Sequence, residues 1–141
     1  MIATKGWVKN LLSKVLKKTV NNYSLEEQRI GTWIDGKPLY QKTIISSMPQ
    51  VSGNGFIELA IDIKDLFIDT CLNSSGFFLS NNGISLPING MVLANDIATS
   101  CTAYYSKTKN SIVMHCNNSL WNDRTAYITI QYTKTTDTAT N

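Results

Sequence analysis

Apolar and basic positions alternate near the start of the chain with the period of an α-helix. Over residues 4–20, apolar side chains recur at spacings of three and four, and lysines fill much of the remaining surface. This pattern predicts one amphipathic helix, and Asn21 and Asn22 favour its end. The apolar stripe consists of Trp7, Val8, Leu11, Leu12, Val15 and Leu16. A helix of this length is not stable alone in water, so the stripe must pack against something.

Three partners for the stripe are open. It could pack on the protein's own sheet, lie on a membrane surface as a basic amphipathic helix, or pack against copies of itself or a neighbouring protein. We favour the third, which makes residues 1–22 a segment for trimerisation or attachment. No stretch of the sequence approaches the roughly 20 apolar residues of a membrane span, and we expect no membrane partner.

From residue 23 onward the period becomes that of strands and turns. Asp35-Gly36 lies between two runs rich in β-branched and aromatic residues, which predicts a tight hairpin. Trp33 and Tyr40 flank this turn and could pair across it. Just before the hairpin, Ser24–Glu27 has the spacing of a capping box, which predicts a helical turn.

The rest of the chain repeats short strands and turns. Residues 73–76 (NSSG) predict a turn, residues 102–106 and 111–116 a hairpin, and residues 126–133 a cleanly alternating strand. The side chains on one face of that last strand are Ile128, Ile130 and Tyr132. About eight short strands predict an antiparallel β-sandwich, mainly β in class, over residues 23–141.

Composition and charge support the β assignment and argue against nucleic acid as a partner. Asn, Ser and Thr total 42 residues, and these side chains favour turns and half-exposed strands over solvated helices. Residues 1–22 carry five lysines and no acid, whereas residues 23–141 carry eight basic and ten acidic side chains and have a net charge of −2. A nucleic-acid-binding domain needs a basic surface of its own, so we expect no nucleic acid partner.

Few side chains could support catalysis or hold a cofactor. His115 is the sole histidine and precedes Cys116 in a predicted strand, so the two should point to opposite faces and not form a nucleophile–base pair. Cys71, Cys101 and Cys116 have no recognisable metal spacing, and we expect small buried apolar side chains, with a Cys71–Cys101 or Cys101–Cys116 bridge left open. We therefore predict no enzymatic activity, no catalytic residues, no metal and no cofactor.

Two segments resemble a known family of virus structural modules. Residues 23–44 (YSLEEQRIGTWIDGKPLYQKTI) are similar to the opening of modules in bacteriophage fibre and tail-associated proteins, and residues 126–137 (AYITIQYTKTTD) are similar to their closing strand. Together they bracket about 115 residues. The resemblance implies a virion structural protein, usually trimeric, in a head fibre, tail fibre, short spike or baseplate appendage, in contact with capsid or tail proteins. It implies no catalytic residues.

The alternative function is recognition of host surface glycans by a carbohydrate-binding adhesin. Aromatic, amide and carboxylate side chains suit sugar stacking and hydrogen bonding, and the candidates are Tyr104, Trp121, Asn122 and Asp123. Tyr104 and Tyr105 should face opposite sides of a strand, which leaves one of them in the core. For Trp121 we favour a position tucked under its own loop or at a subunit interface. Our leading hypothesis is a homotrimeric fibre or spike subunit located in the virion.

Overall fold

The computed structural model describes residues 23–79, 82–94 and 97–139, together with Gly6, Val8 and Lys9. These residues form two antiparallel sheets, so the mainly β class is confirmed. The predicted helix over residues 4–20 lies outside the described residues except at those three isolated positions, which are exposed. Of its apolar stripe only Val8 is described. Within the described ranges no α-helix is among the elements.

The described strands and two 3₁₀ turns follow one another along the chain with short connections. The first sheet has the order β1-β2-β9-β4-β5 and the second the order β3-β8-β7-β6. The strands are β1 (Gln28–Thr32), β2 (Pro38–Ser47), β3 (Ile57–Asp62), β4 (Ile68–Leu79), β5 (Ser85–Pro87), β6 (Gly90–Ala94), β7 (Ile97–Ser106), β8 (Ser111–Cys116) and β9 (Thr125–Lys134). The 3₁₀ turns are Lys64–Leu66 and Ser119–Trp121.

The predicted Asp35-Gly36 hairpin is confirmed as the connection between β1 and β2. The Gly36 N–H donates to Trp33 O (2.9 Å), and the Lys37 N–H donates to the Asp35 carboxylate (2.9 Å). Gly36 has φ 87°, a conformation that suits a residue without a Cβ. The expected pairing of Trp33 with Tyr40 is wrong, because Trp33 lies in the turn and Tyr40 is opposite Arg29 in the ladder.

The helical turn predicted at Ser24–Glu27 is also wrong. The Ser24 hydroxyl accepts from the Glu26 N–H (3.0 Å), which closes a local side-chain turn instead of capping a helix. The Ser24 carbonyl accepts from the Thr43 N–H (2.8 Å), so this segment runs beside β2. Short side-chain turns and helix caps share the same residue types, and here the neighbouring strand selects the former.

One core lies between the two sheets, as in a β-sandwich. Strand β9 contributes the predicted face of Ile128, Ile130 and Tyr132, all fully buried, so that prediction is confirmed. The second sheet contributes Ile112 and Met114, also fully buried. Removing each such side chain from water contributes about 1.5–3 kcal/mol relative to leaving it exposed.

Strand β4 passes through the segment predicted as a turn. Residues 73–76 lie inside its twelve residues and pair with β9, after register shifts between Ile68 and Asn73. A Cβ at Gly76 would lie 2.3 Å from Tyr127 O. The glycine is therefore explained by close approach of two strands and not by a turn, and the turn prediction is wrong.

The three cysteines are free thiols in this structure. Cys101 and Cys116 are buried, as predicted, whereas Cys71 is only half-buried. Cys101 and Cys116 are direct partners across β7 and β8. The hydrogen bond between the two thiols, together with burial, raises the pKa of Cys101.

Candidate functional site

Trp121, the aromatic candidate for ligand binding, lies in the core. Its ring packs edge-to-face on Phe78 with 5.0 Å between centroids, and only 7% of the residue is exposed. The Arg124 guanidinium lies 5.9 Å from the ring centroid, on the side of the loop. Trp121 is therefore buried within the chain and not exposed to a ligand.

Asn122 and Asp123 follow Trp121 but differ in their surroundings. The Asn122 side chain accepts from the Val51 N–H (2.8 Å) and donates to Val51 O (2.9 Å). The Asn122 side-chain amide thus forms hydrogen bonds with the backbone of the loop before β3 and uses its oxygen and one N–H in doing so. Asp123 is exposed, with a φ of 58°.

Tyr104 lies on a separate surface, the outer face of the second sheet. It is 47% exposed, and its ring is tilted against that of His115 at 5.8 Å. His115 Nε2 is 3.3 Å from a Glu58 carboxylate oxygen, and Lys109 pairs with the same carboxylate and lowers its pKa. Cys116 points into the core, so the predicted divergence of His115 and Cys116 is confirmed. The four ligand candidates therefore do not form one site.

The two segments that resemble phage modules meet in the first sheet. We call these two segments, residues 23–44 and 126–137, the motif framework; they supply β1 and most of β2 and β9. Strands β2 and β9 pair in continuous register from Tyr40↔Tyr132 to Ser47↔Thr125. The Glu27 carboxylate accepts from the buried Tyr132 hydroxyl and from the Lys134 ammonium. Burial, followed by the hydrogen bond to Glu27, raises the pKa of Tyr132.

A second ion pair ties the framework to β4. The Lys37 ammonium lies 2.6 Å from an Asp69 carboxylate oxygen, and both side chains are partly exposed. The hydrogen bond to Lys37 is the main cause of the lowered pKa of Asp69. Lys107 adds a longer contact of 3.6 Å to the same carboxylate. These ion pairs link the opening segment to β9 and to β4.

The outer face of the first sheet carries an apolar row of side chains across three strands. Ile45, Tyr127 and Phe77 are register partners on β2, β9 and β4. The Phe77 and Tyr127 rings are nearly parallel, at 16° with centroids 5.2 Å apart. Ile45 is 48% exposed and Phe77 is 39% exposed, so the row is open to solvent.

Rows of uncharged polar side chains run beside this apolar row. The next row along the strands is Thr43, Thr129 and Ser75, in which the two threonine hydroxyls are hydrogen-bonded at 2.9 Å. In the row after it, the side-chain amide N–H of Gln131 donates to the side-chain amide oxygen of Gln41 at 2.9 Å.

A groove of about 440 Å³ lies over these rows. We call it the aromatic groove, and its lining residues are Tyr23, Thr43, Ser75, Gly76, Phe77, Tyr127 and Thr129. None of them is charged. Tyr23, which is 78% exposed, lies on the β2 side, where the Ser24–Thr43 hydrogen bond holds its segment. The volume is within the range of small-molecule sites.

The sequence patterns do not predict this groove. Tyr127 could have been noticed, because it alternates with the core residues of its strand and must face outward. Phe77 could not, because the sequence pattern predicts a turn just before it, and nothing local shows that β4 pairs with β9. A site made by cross-strand neighbours becomes visible only when the strand order is known.

The comparisons with known proteins give no relative. No family model, curated protein or solved structure matches the chain. Among the residues that the structure describes, no group of three or more His, Cys, Asp or Glu side chains could hold a metal ion. No described helix has the length and apolarity needed to cross a bilayer.

Proposed function

We propose that the chain is a structural subunit of a bacteriophage particle, in a head fibre, tail fibre or short spike, and that it is not an enzyme. The observation that carries the proposal is the motif framework. The opening and closing segments that resemble phage modules are separated by 81 residues in sequence, yet they are hydrogen-bonded neighbours in one sheet. The resemblance thus rests on residues that act together in three dimensions.

The side chains of the motif framework form contacts that connect the strands of the first sheet. Glu27 joins the opening segment to Tyr132 and Lys134, Lys134 lies over the Tyr40 ring at 4.8 Å, and Lys37 holds β4. These contacts constrain the residues of the opening and closing segments, whereas the sequence of the strands between them can vary from one related module to another. That organisation suits a fibre domain displayed on a particle.

Within this proposal the N-terminal segment assembles the particle component. The helix over residues 4–20 presents Trp7, Val8, Leu11, Leu12, Val15 and Leu16 to two other copies of the chain and to capsid, tail or baseplate proteins. Support comes from the spacing of these apolar positions and from the segregation of five lysines into residues 1–22. The β domain projects outward, and we propose a homotrimer.

Light scattering after gel filtration of the full chain tests the trimer. We expect a mass near three times 15.7 kDa. Leu12→Asp places a charge in the apolar stripe and should yield monomers, whereas the matched control Lys14→Asp should stay trimeric. A monomeric wild type, or a Leu12→Asp variant that remains a trimer, would contradict the assembly proposal.

Mass spectrometry of density-banded particles tests the location. In the phage or prophage that encodes this chain, the protein should co-purify with banded virions, and gold-labelled antibody should mark one fixed position on them. Its absence from the banded particles would refute the virion proposal.

A second candidate function is recognition of host surface glycans. The specific observation that favours it is the exposed aromatic row beside hydroxyl side chains on the first sheet. An adhesin role is compatible with the virion role, because a fibre domain can both project and bind.

A further inference from the structure

We propose that the aromatic groove is a binding site for a neutral carbohydrate. The proposal deepens the second candidate function and does not depend on the trimer. A pyranose ring would pack its C–H face against Phe77 and Tyr127, while its hydroxyls hydrogen-bond to Thr43, Thr129 and Ser75. The ligand is recognised non-covalently, and no bond forms or breaks.

The groove combines the two kinds of contact that a sugar requires. Sugars have apolar C–H faces and a rim of hydroxyls, each able to donate and accept hydrogen bonds. Aromatic side chains supply a large apolar surface with little loss of conformational freedom. Threonine and serine hydroxyls donate and accept equally well, so they suit a partner with the same property.

Charge identifies the class of sugar. The seven lining residues carry no charge, and neither do Ile45, Gln41 and Gln131 in the adjoining rows. Sialylated, sulfated or phosphorylated glycans would bring an anion to a face without a cation among these ten residues. An unpaired charge in a partly desolvated site is costly, so the face favours neutral hexoses and N-acetylhexosamines.

The polar rows distinguish a sugar from a protein partner. An apolar helix or strand laid in the groove would bury the Ser75 hydroxyl, and the one hydroxyl proton that the Thr43–Thr129 hydrogen bond leaves unused, against groups that cannot hydrogen-bond to them. Each buried hydroxyl without a partner costs free energy, whereas sugar hydroxyls satisfy them. The groove volume, about 440 Å³, also suits a small ligand better than the broad patch of a stable protein interface.

The groove is preorganised by the sheet, because its side chains are held in position without a ligand. Phe77, Tyr127, Thr129 and Thr43 are on hydrogen-bonded strands, and the Thr43–Thr129 contact orients two of the three hydroxyls. Little conformational entropy is lost when a ligand binds to side chains already held in this way.

Glycan-array binding of the full chain is the first test. The probes are neutral hexose and N-acetylhexosamine oligosaccharides, with sialylated and sulfated glycans printed for comparison. We expect signal on neutral probes. Tyr127→Leu keeps an apolar side chain but removes the aromatic face, and it should weaken the best probe by about tenfold, a loss of about 1.4 kcal/mol. The matched control Phe56→Leu alters an exposed aromatic side chain that does not line the groove and should leave binding unchanged.

A milder pair of variants keeps the test valid if Tyr127→Leu fails to fold. Thr129→Val removes one hydroxyl from the groove at constant shape, and Thr125→Val makes the same change four residues away on the same face and strand. Titration calorimetry should show weaker binding for Thr129→Val and unchanged binding for Thr125→Val. Amide shifts in NMR on adding the best neutral probe should centre on Thr43, Ser75 and Thr129.

The outcomes separate this site from the proposed particle role. A silent array, or binding that survives both Tyr127→Leu and Thr129→Val, would overturn the site. A preference for anionic probes would overturn the ligand class. Light scattering on the same samples reports the trimer independently, so a wild-type chain that forms the trimer but binds no glycan refutes the site alone.

Discussion

The Glu27 carboxylate joins the two ends of the β domain, so its removal should weaken the whole fold. In Glu27→Ala, the Tyr132 hydroxyl loses its acceptor while its side chain stays fully buried. A buried polar group left unsatisfied costs about 1–3 kcal/mol. Lys134 is partly exposed and can turn to water, so its lost contact adds about 0.2–1 kcal/mol. We therefore expect the free energy of unfolding to fall by about 1–4 kcal/mol.

Urea unfolding followed by tryptophan fluorescence measures this loss. The midpoint should move to lower urea while the slope m stays constant, because the surface exposed on unfolding is unchanged. Glu26→Ala is the matched control: it removes the neighbouring carboxylate, which is exposed, and should change stability by less than about 0.5 kcal/mol. Equal losses in the two variants would refute the assignment of Glu27 as the joining residue.

A double-mutant cycle with Tyr132→Phe isolates the contact itself. If the Tyr132 hydroxyl and the Glu27 carboxylate bond as described, the two substitutions should be coupled by at least about 1 kcal/mol. Tyr132→Phe alone keeps the ring in the core and should cost less than Glu27→Ala, because Glu27 is partly exposed and can be rehydrated. Strict additivity would show that the two side chains contribute independently.

Three further predictions concern packing and pH. Gly76→Ala should lower stability by about 1–3 kcal/mol in thermal melts, because its Cβ would lie 2.3 Å from the Tyr127 carbonyl, whereas Gly31→Ala, with open space around it, should be near neutral. Trp121→Ala should cost about 3–5 kcal/mol in urea unfolding, because it empties a buried ring position. The raised pKa of Tyr132 stabilises the fold below the ordinary tyrosine pKa of 10.0. Above that pH the unfolded chain ionises first, so stability should decline as pH rises, and Tyr132→Phe should reduce the decline.

Local signals predicted the parts of the fold that are determined locally. The Asp35-Gly36 turn needs a residue tolerant of positive φ, and the sequence supplies one between two strand-forming runs. The face of Ile128, Ile130 and Tyr132 follows from strand geometry alone. Both features depend on a few neighbouring residues, so a sequence is sufficient to find them.

Long-range pairing explains what the sequence did not reveal. The Asn-Ser-Ser-Gly segment at residues 73–76 has turn composition, but β9 and the β7–β8 sheet give it partners, and tertiary packing overrides local propensity. Likewise Trp121, in a polar loop, is buried because Phe78 of a distant strand lies beneath it. Propensity scales contain no information about which distant strand will be adjacent.

The aromatic groove is lined by residues of the motif framework and by residues of β4, and this division determines which positions can change ligand specificity. Thr43 lies in the opening segment, and Tyr127 and Thr129 lie in the closing segment, whereas Ser75 and Phe77 come from β4. Chains that share the two segments would keep two aromatic rings, those of Tyr23 and Tyr127, and the hydrogen-bonded threonine pair, because these residues belong to the shared segments. The residues opposite them on β4 are under no such constraint from the framework. Differences in ligand between related modules should therefore map to the positions of Ser75 and Phe77. Replacing these two residues with other side chains should change which neutral sugar binds without disturbing the fold.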